Sequence, residues 1–176
     1  MAENGRHGGV FAGTFTAEAG VATLLEALDL FPGARITAIG AGPEEARLRA
    51  HPQVCVLGAL DPFSVQAYMA ASAYLVLPGV AGADEPRALI EAFANRLPVI
   101  ASRSGRLAES IQPGRNGLLF DPGSPRDLAR RLAWAEAFPE KMRQMGACAR
   151  ADYEARFIGD WSYPKLFGER RRSARI

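Results

Sequence analysis

Residues 78–102, PGVAGADEPRALIEAFANRLPVIAS, decide how the chain is read. They open on a loop of small residues that carries Asp84 and Glu85. Pro86 follows, and then a helical pattern that carries Glu91 between Ile90 and Ala92-Phe93. The stretch closes on LPVIAS, an apolar run with the character of a buried strand. A second apolar run, residues 74–78 (YLVLP), stands just before it. Strand, polar loop, helix and strand in this order is the unit from which an α/β protein builds ligand sites at the carboxyl edge of its sheet.

The same unit recurs outward in both directions. Upstream, residues 9–13 (GVFAG) form a first strand, and Val21, Leu24, Leu25 and Leu28 fall at helical spacing after a loop. Phe31-Pro32-Gly33 stops that helix, and residues 35–40 form a second strand. Its end is a glycine-rich turn, with Pro43 as the first residue of the helix EEARLRA. Residues 54–58 form a third strand. Asp61 then serves as an N-cap with Pro62 just inside, before a helix populated by Phe63, Val65, Tyr68 and Met69. Downstream, residues 104–111 read as a short helix and 117–120 as a sixth strand. Ser124-Pro125 starts a helix with the stripe Leu128, Leu132 and Trp134, Phe138-Pro139 breaks it, and residues 140–157 continue as another. Six strands alternating with helices imply a Rossmann-like, doubly wound parallel α/β sheet with helices on both faces. The strands are continuous apolar runs, as expected of strands covered on both sides.

Size and composition fit this single unit. The chain has 176 residues, 48% hydrophobic and 23% charged, with a net charge of +2. That balance is ordinary for a globular domain and too weak to imply a nucleic-acid partner. Residues 1–8 are expected to be loose, residues 9–160 to form the domain, and residues 161–176 to form a tail. The tail's Trp161, Tyr163 and Phe167 suit docking, and Arg170, Arg171, Arg172 and Arg175 make a basic end. Cys55 and Cys148 lie in separate apolar patterns, which argues against a disulfide and for a reducing, cytoplasmic setting. No stretch is long and apolar enough to span a bilayer.

Three loops at the carboxyl edge are candidates for binding: residues 13–20, 40–42 and 79–86. Glycine permits close backbone approach, and the helices that begin after the first and third loops offer free N–H groups to an anion. Such loops also serve simply to turn the chain. Glu91, on an apolar helix, reads as a partly buried and partnered carboxylate able to accept hydrogen bonds from sugar hydroxyls. His7 and His51 lack metal-ligand spacing, and no G-x-S-x-G, G-x-G-x-x-G or P-loop pattern occurs.

Five stretches occur in the order of a known family: FAGTFTAEAGVATLLEAL, ITAIGAGPEEARL, VCVLGAL, AYLVLPGVAGADEPRALIEAFANRLPVIAS and ESIQPGRNGLLFDPGSPRDLARRL. Together they resemble the C-terminal, donor-binding domain of GT-B-fold glycosyltransferases of family 4, the group 1 retaining enzymes. The resemblance implies a hexosyltransferase-type enzyme that moves a sugar from a nucleotide-diphosphate sugar to a glycan or lipid acceptor. It implies no cofactor and no metal. The expected partners are the nucleotide-diphosphate sugar, an N-terminal acceptor-binding Rossmann-like domain missing from this chain, and a peripheral contact with the inner face of a membrane. It assigns catalytic roles to Glu85 and Glu91. It assigns nucleotide-sugar contacts to Gly13, Thr14, Val56, Leu57, Pro86, Arg87, Ala88, Leu89 and Glu91.

Three departures accompany the match. Thr14 and Ala19 stand where the family carries cations, and Ala83 stands where it carries the first of two glutamates, beside Asp84 and Glu85. Loss of one contact to a developing charge costs about 2–4 kcal/mol of barrier, with Arg87 the one replacement charge at hand. The isolated domain is therefore expected to be inactive. The alternative is a non-catalytic relative acting as a binding or interaction module.

Overall fold

The computed structural model describes residues 6–79 and 87–158. Its elements alternate from β1 (Gly9–Thr14), α1 (Val21–Leu30), β2 (Ile36–Ala41), α2 (Glu45–Ala50) and β3 (Val54–Gly58) to α3 (Pro62–Ala71) and β4 (Tyr74–Leu77). They continue through α4 (Arg87–Ala94), β5 (Val99–Ser102), α5 (Gly105–Ser110), β6 (Gly117–Phe120), α6 (Pro125–Ala137) and α7 (Pro139–Tyr153). The sheet runs β3-β2-β1-β4-β5-β6 with every pair parallel. The chain winds outward from β1 to the β3 edge, then crosses back to β4 and winds outward the other way. The carboxyl ends of β1 and β4 thus flank the switch point, where a doubly wound sheet opens a crevice.

Alternation along the strands divides the core between the two faces. Phe11, Val76, Ile100 and Phe120 join α1, α6 and part of α7 in one cluster. Val10, Leu75, Leu77, Val99 and Ala101 join Leu89, Phe93 and Met69 in the other. The central strands are buried on both faces, as their continuous apolar runs require. The capping residues also act as read. Asp61 Oδ1 accepts from the Ser64 amide at 3.0 Å, and Ser124 Oγ accepts from the Asp127 amide at 3.2 Å, each with proline next in line.

The structure corrects the sequence reading at its margins. No residue of β3 is fully buried and Cys55 is exposed, because β3 is an edge strand. Of the four apolar residues read into α3, only Met69 is buried; Phe63 is 84% exposed. Helix α3 crosses back from edge strand β3 and meets the sheet at β1, so most of its surface faces solvent. Pro43 lies in the turn before α2 and not inside the helix. The buried stripe of α6 is Leu128, Ala129, Leu132 and Ala135, while Trp134 packs partly buried at the core margin with its ring 5.1 Å from that of Phe138. Helix α7 ends at Tyr153 and passes into a π-helical stretch over Glu154–Ile158. Arg6 is tied down within a segment expected to be loose: its guanidinium donates to Arg96 O at 2.6 Å and Asn95 O at 2.9 Å. The aromatic and basic tail falls outside the described residues. Among those residues no helix is long and apolar enough to cross a membrane.

Candidate functional site

At the carboxyl edge the loops after β1, β2 and β4 touch backbone to backbone, which explains their glycines. Gly40, opposite Gly13 in the β1–β2 register, has φ 146°, and a Cβ there would lie 1.8 Å from Gly13 O. Gly20, at φ 80°, begins α1 without a side-chain cap; its Cβ would lie 2.5 Å from the Pro78 carbonyl. These contacts hold the β1 and β4 loops together across the switch point.

Two cavities open there. The first, about 290 Å³, lies beside β2 and the loop after β3, with Gly40, Leu60, Pro62, Val65 and Glu91 on its walls. The second, about 330 Å³, lies under the β1 and β4 loops, with Thr14, Thr16, Glu18, Ala19 and Pro78 on its walls. Ala12, Gly13, Arg87 and Ala88 line both, so the end of β1 and the start of α4 form a shared partition.

Helix α4 supplies the electrostatics of that partition. Its leading amides have no intrahelical acceptors and mark the positive end of its dipole. At the other end, the Ala94 carbonyl accepts from Arg150 and the Asn95 and Arg96 carbonyls accept from Arg6, so cations meet the negative pole. One turn into the helix, Glu91 Oε1 accepts from Arg87 Nε at 2.7 Å. The Glu91 side chain is 20% exposed and that of Arg87 79% exposed, so the arginine reaches over the partition while the carboxylate sits low in the first cavity. Glu18, on the second cavity, is exposed and has no hydrogen-bond or ion-pair partner among the described residues. Among those residues no group of three or more His, Cys, Asp or Glu is arranged to hold a metal ion.

Of the residues singled out from sequence, Gly13, Thr14, Arg87, Ala88 and Glu91 meet at these cavities. Glu91 is partly buried and partnered, as read. Leu89 is 1% exposed with its side chain in the core, which leaves only its backbone for a ligand. Val56 and Leu57 do not line either cavity; Leu57 packs on the core and the Val56 carbonyl accepts from Arg49 at 3.3 Å. The chain turns at Gly58, φ 82°, and it is Ala59, Leu60 and Pro62 beyond it that reach the first cavity. A glycine closing a strand was the available signal for that displacement. Thr16 and Glu18 lie in the candidate loop 13–20, though nothing in their spacing singles them out. Glu85 and Pro86, with Ala83 and Asp84, lie outside the described residues.

Residues 8–152 match the family described as glycosyl transferases, group 1. The chain is 29% identical over 154 residues to sulfoquinovosyl transferase SQD2 of Arabidopsis thaliana, covering 82% of this chain and 29% of that protein. It thus spans less than a third of that relative's length. The fold superposes on Anabaena HepE in complex with UDP and glucose with a TM-score of 0.76 at 23% identity, covering 86% of this chain and 45% of that one. It also superposes on the C-terminal domain of the group 1 glycosyl transferase LpcC from Francisella tularensis, with a TM-score of 0.73, 20% identity and 87% of both chains covered.

Proposed function

The chain belongs to the group 1 glycosyl transferases, and we propose that it is the donor side of such an enzyme, holding a nucleotide-diphosphate sugar across the β1/β4 switch point. One observation carries this reading: two cavities adjoin along a partition made of Gly13, the start of α4 and Arg87. A nucleotide-diphosphate sugar has the matching division, with two largely uncharged arms joined by an anionic link. The diphosphate suits the partition, where helix amides and Arg87 offset negative charge. The first cavity suits the nucleoside, with Leu60 and Val65 against the base and Glu91 accepting from ribose hydroxyls. The second suits the sugar, with Thr14, Thr16 and Glu18 as hydroxyl partners.

The sugar then passes, with retention at its anomeric carbon, to a glycan or lipid acceptor held by a second Rossmann-like domain. Charge leaving on the diphosphate is met by Arg87 and backbone amides rather than by a metal. In this reading the domain alone binds donor without transferring sugar. The setting is cytoplasmic, as the two free thiols Cys55 and Cys148 suit a reducing compartment.

A second reading, a binding module without catalysis, draws on the second cavity. Thr14 and Ala19 bring no charge to it, Glu18 brings the wrong sign for a diphosphate, and Arg87 is engaged by Glu91. Calorimetric titration with UDP, GDP, ADP and their diphospho-sugars separates the two. Micromolar binding that weakens in Glu91→Ala supports the donor reading. Heat from none of these ligands sinks it.

A further inference from the structure

At the opposite edge of the sheet, beneath the amino ends of β1, β4 and β5, lies a separate pocket of about 260 Å³. Arg6, Arg96 and Arg143 line it, over an apolar floor that includes Pro98, Pro139 and Met142. No acidic side chain lines it among the described residues. Arg143 is paired with Glu140 beside it on α7, and Arg6 is committed to the carbonyls that end α4. The Arg96 side chain has no hydrogen bond or ion pair to another described residue. Burial, and then the Arg96 charge, pull the Arg6 guanidinium below its ordinary pKa, so the two cations repel across the pocket.

The backbone at Arg96 sharpens the point. Helix α4 closes in a Schellman motif: the Leu97 amide donates to Ala92 O at 2.9 Å and the Arg96 amide to Phe93 O at 3.2 Å. Arg96 occupies the left-handed position of that motif, with φ 56°, where glycine fits without steric cost. Gly146 lets α7 press against this corner, since a Cβ there would lie 2.2 Å from Arg96 O. The corner is therefore fixed, and it aims a long cationic side chain where the backbone would be better served by none. Strain of this kind is held where a side chain does something.

We propose that this pocket binds a phosphomonoester, with Arg96 and Arg143 on the phosphate and Pro98, Pro139 and Met142 against its organic part. Guanidinium groups from separate elements match the multiple charge and the forked oxygens of a phosphate. A soluble phosphomonoester and a lipid headgroup present the same phosphate chemistry to the arginines.

The test uses two probes on the whole chain: inorganic phosphate by calorimetry at low ionic strength, and cosedimentation with phosphatidylcholine vesicles with and without phosphatidic acid. Wild type and Arg126→Gln, an exposed arginine that lines none of these cavities, bind at least one probe. Arg96→Gly binds it about tenfold more weakly, although its Tm is equal to or above that of wild type because the left-handed strain is relieved. Arg143→Gln weakens binding in parallel, and decides the matter if Arg96→Gly fails to fold. Phosphate binding identifies a soluble ligand; a response only to phosphatidic acid vesicles identifies a headgroup. The proposal is overturned if neither probe binds, if binding survives Arg96→Gly and Arg143→Gln, or if Arg126→Gln weakens it as much as they do.

Discussion

Arg87 and Glu91 lie one turn apart on α4, and Arg87 Nε donates to Glu91 Oε1 at 2.7 Å on the partition between the two cavities. An ion pair at this spacing on a helix stabilises it by only about 0.3–0.5 kcal/mol. Its position therefore matters more than its strength. A ligand that spans the partition must share Arg87 with Glu91 and reach the carboxylate from the cavity side.

The first prediction separates those roles. Arg87→Gln removes one charge-assisted contact to the diphosphate, worth about 1.5–3 kcal/mol, so UDP binding should weaken roughly tenfold to a hundredfold with Tm nearly unchanged. Glu91→Gln should weaken UDP as well, but should have little effect on a 2′,3′-dideoxy analogue, which lacks the hydroxyls that Glu91 would accept from. Equal losses for UDP and the analogue would show that Glu91 acts through Arg87 and not on the ribose.

The second concerns the charges this chain lacks. Thr14 and Ala19 line the second cavity with neutral side chains, and Glu18 stands between them in sequence. Thr14→Arg and Ala19→Lys should each tighten UDP binding about tenfold and steepen its salt dependence. Glu18→Gln should tighten it roughly twofold to fivefold, since an exposed charge is screened. Unchanged affinity in all three variants would mean that the β1 loop does not face the anion.

The sheet was legible because each strand is a short apolar run bounded by glycine or proline, and the two strong caps because Asp61 and Ser124 each precede a proline. What escaped notice depends on neighbours that sequence does not name. The face α3 buries is set by its crossing to β1, which leaves Phe63 in solvent. The wall of the first cavity is set by the turn at Gly58, which moves the contact from Leu57 to Leu60. Arg6 looked like part of a loose terminus, yet its partners lie about ninety residues on, at Asn95 and Arg96. Local pattern found the elements; long-range contacts decide which loop residues line the cavities.

The third prediction tests why glycine ends two neighbouring strands. A Cβ at Gly40 would lie 1.8 Å from Gly13 O, with φ 146°. Clash and backbone strain together should make Gly40→Ala cost about 3 kcal/mol or more. Gly58, at φ 82°, has open space around its Cβ position, so Gly58→Ala carries only the backbone cost of about 1 kcal/mol. Denaturant unfolding of both variants checks the contrast, and similar losses would show that the close approach of β1 and β2 does not constrain Gly40.

The fourth concerns acid stability. Asn116 is 1% exposed: its Oδ1 accepts from the Gln112 amide at 2.8 Å, and its Nδ2 donates to Ser110 O at 3.2 Å and to Asp152 Oδ2 at 2.8 Å. Arg115 Nη1 donates to the same Asp152 oxygen at 2.6 Å, so this cluster ties α7 to the turn before β6. Burial pushes the Asp152 carboxyl up, but the hydrogen bonds from Arg115 and Asn116, with the Arg115 charge, outweigh it and hold the group below its ordinary 3.8. A carboxylate with a depressed folded-state pKa stabilises the fold above the unfolded-state value and loses that contribution as pH falls through the folded one. Asp152→Asn should therefore cost about 1–2 kcal/mol at neutral pH, with the gap to wild type closing as pH drops below about 4. Asn116→Ala, which removes three hydrogen bonds from a buried site, should cost about 2–3 kcal/mol at neutral pH. Denaturant melts between pH 7 and pH 3 measure both, and an Asp152→Asn gap that does not narrow in acid would show that the carboxylate's charge contributes nothing to holding α7 in place.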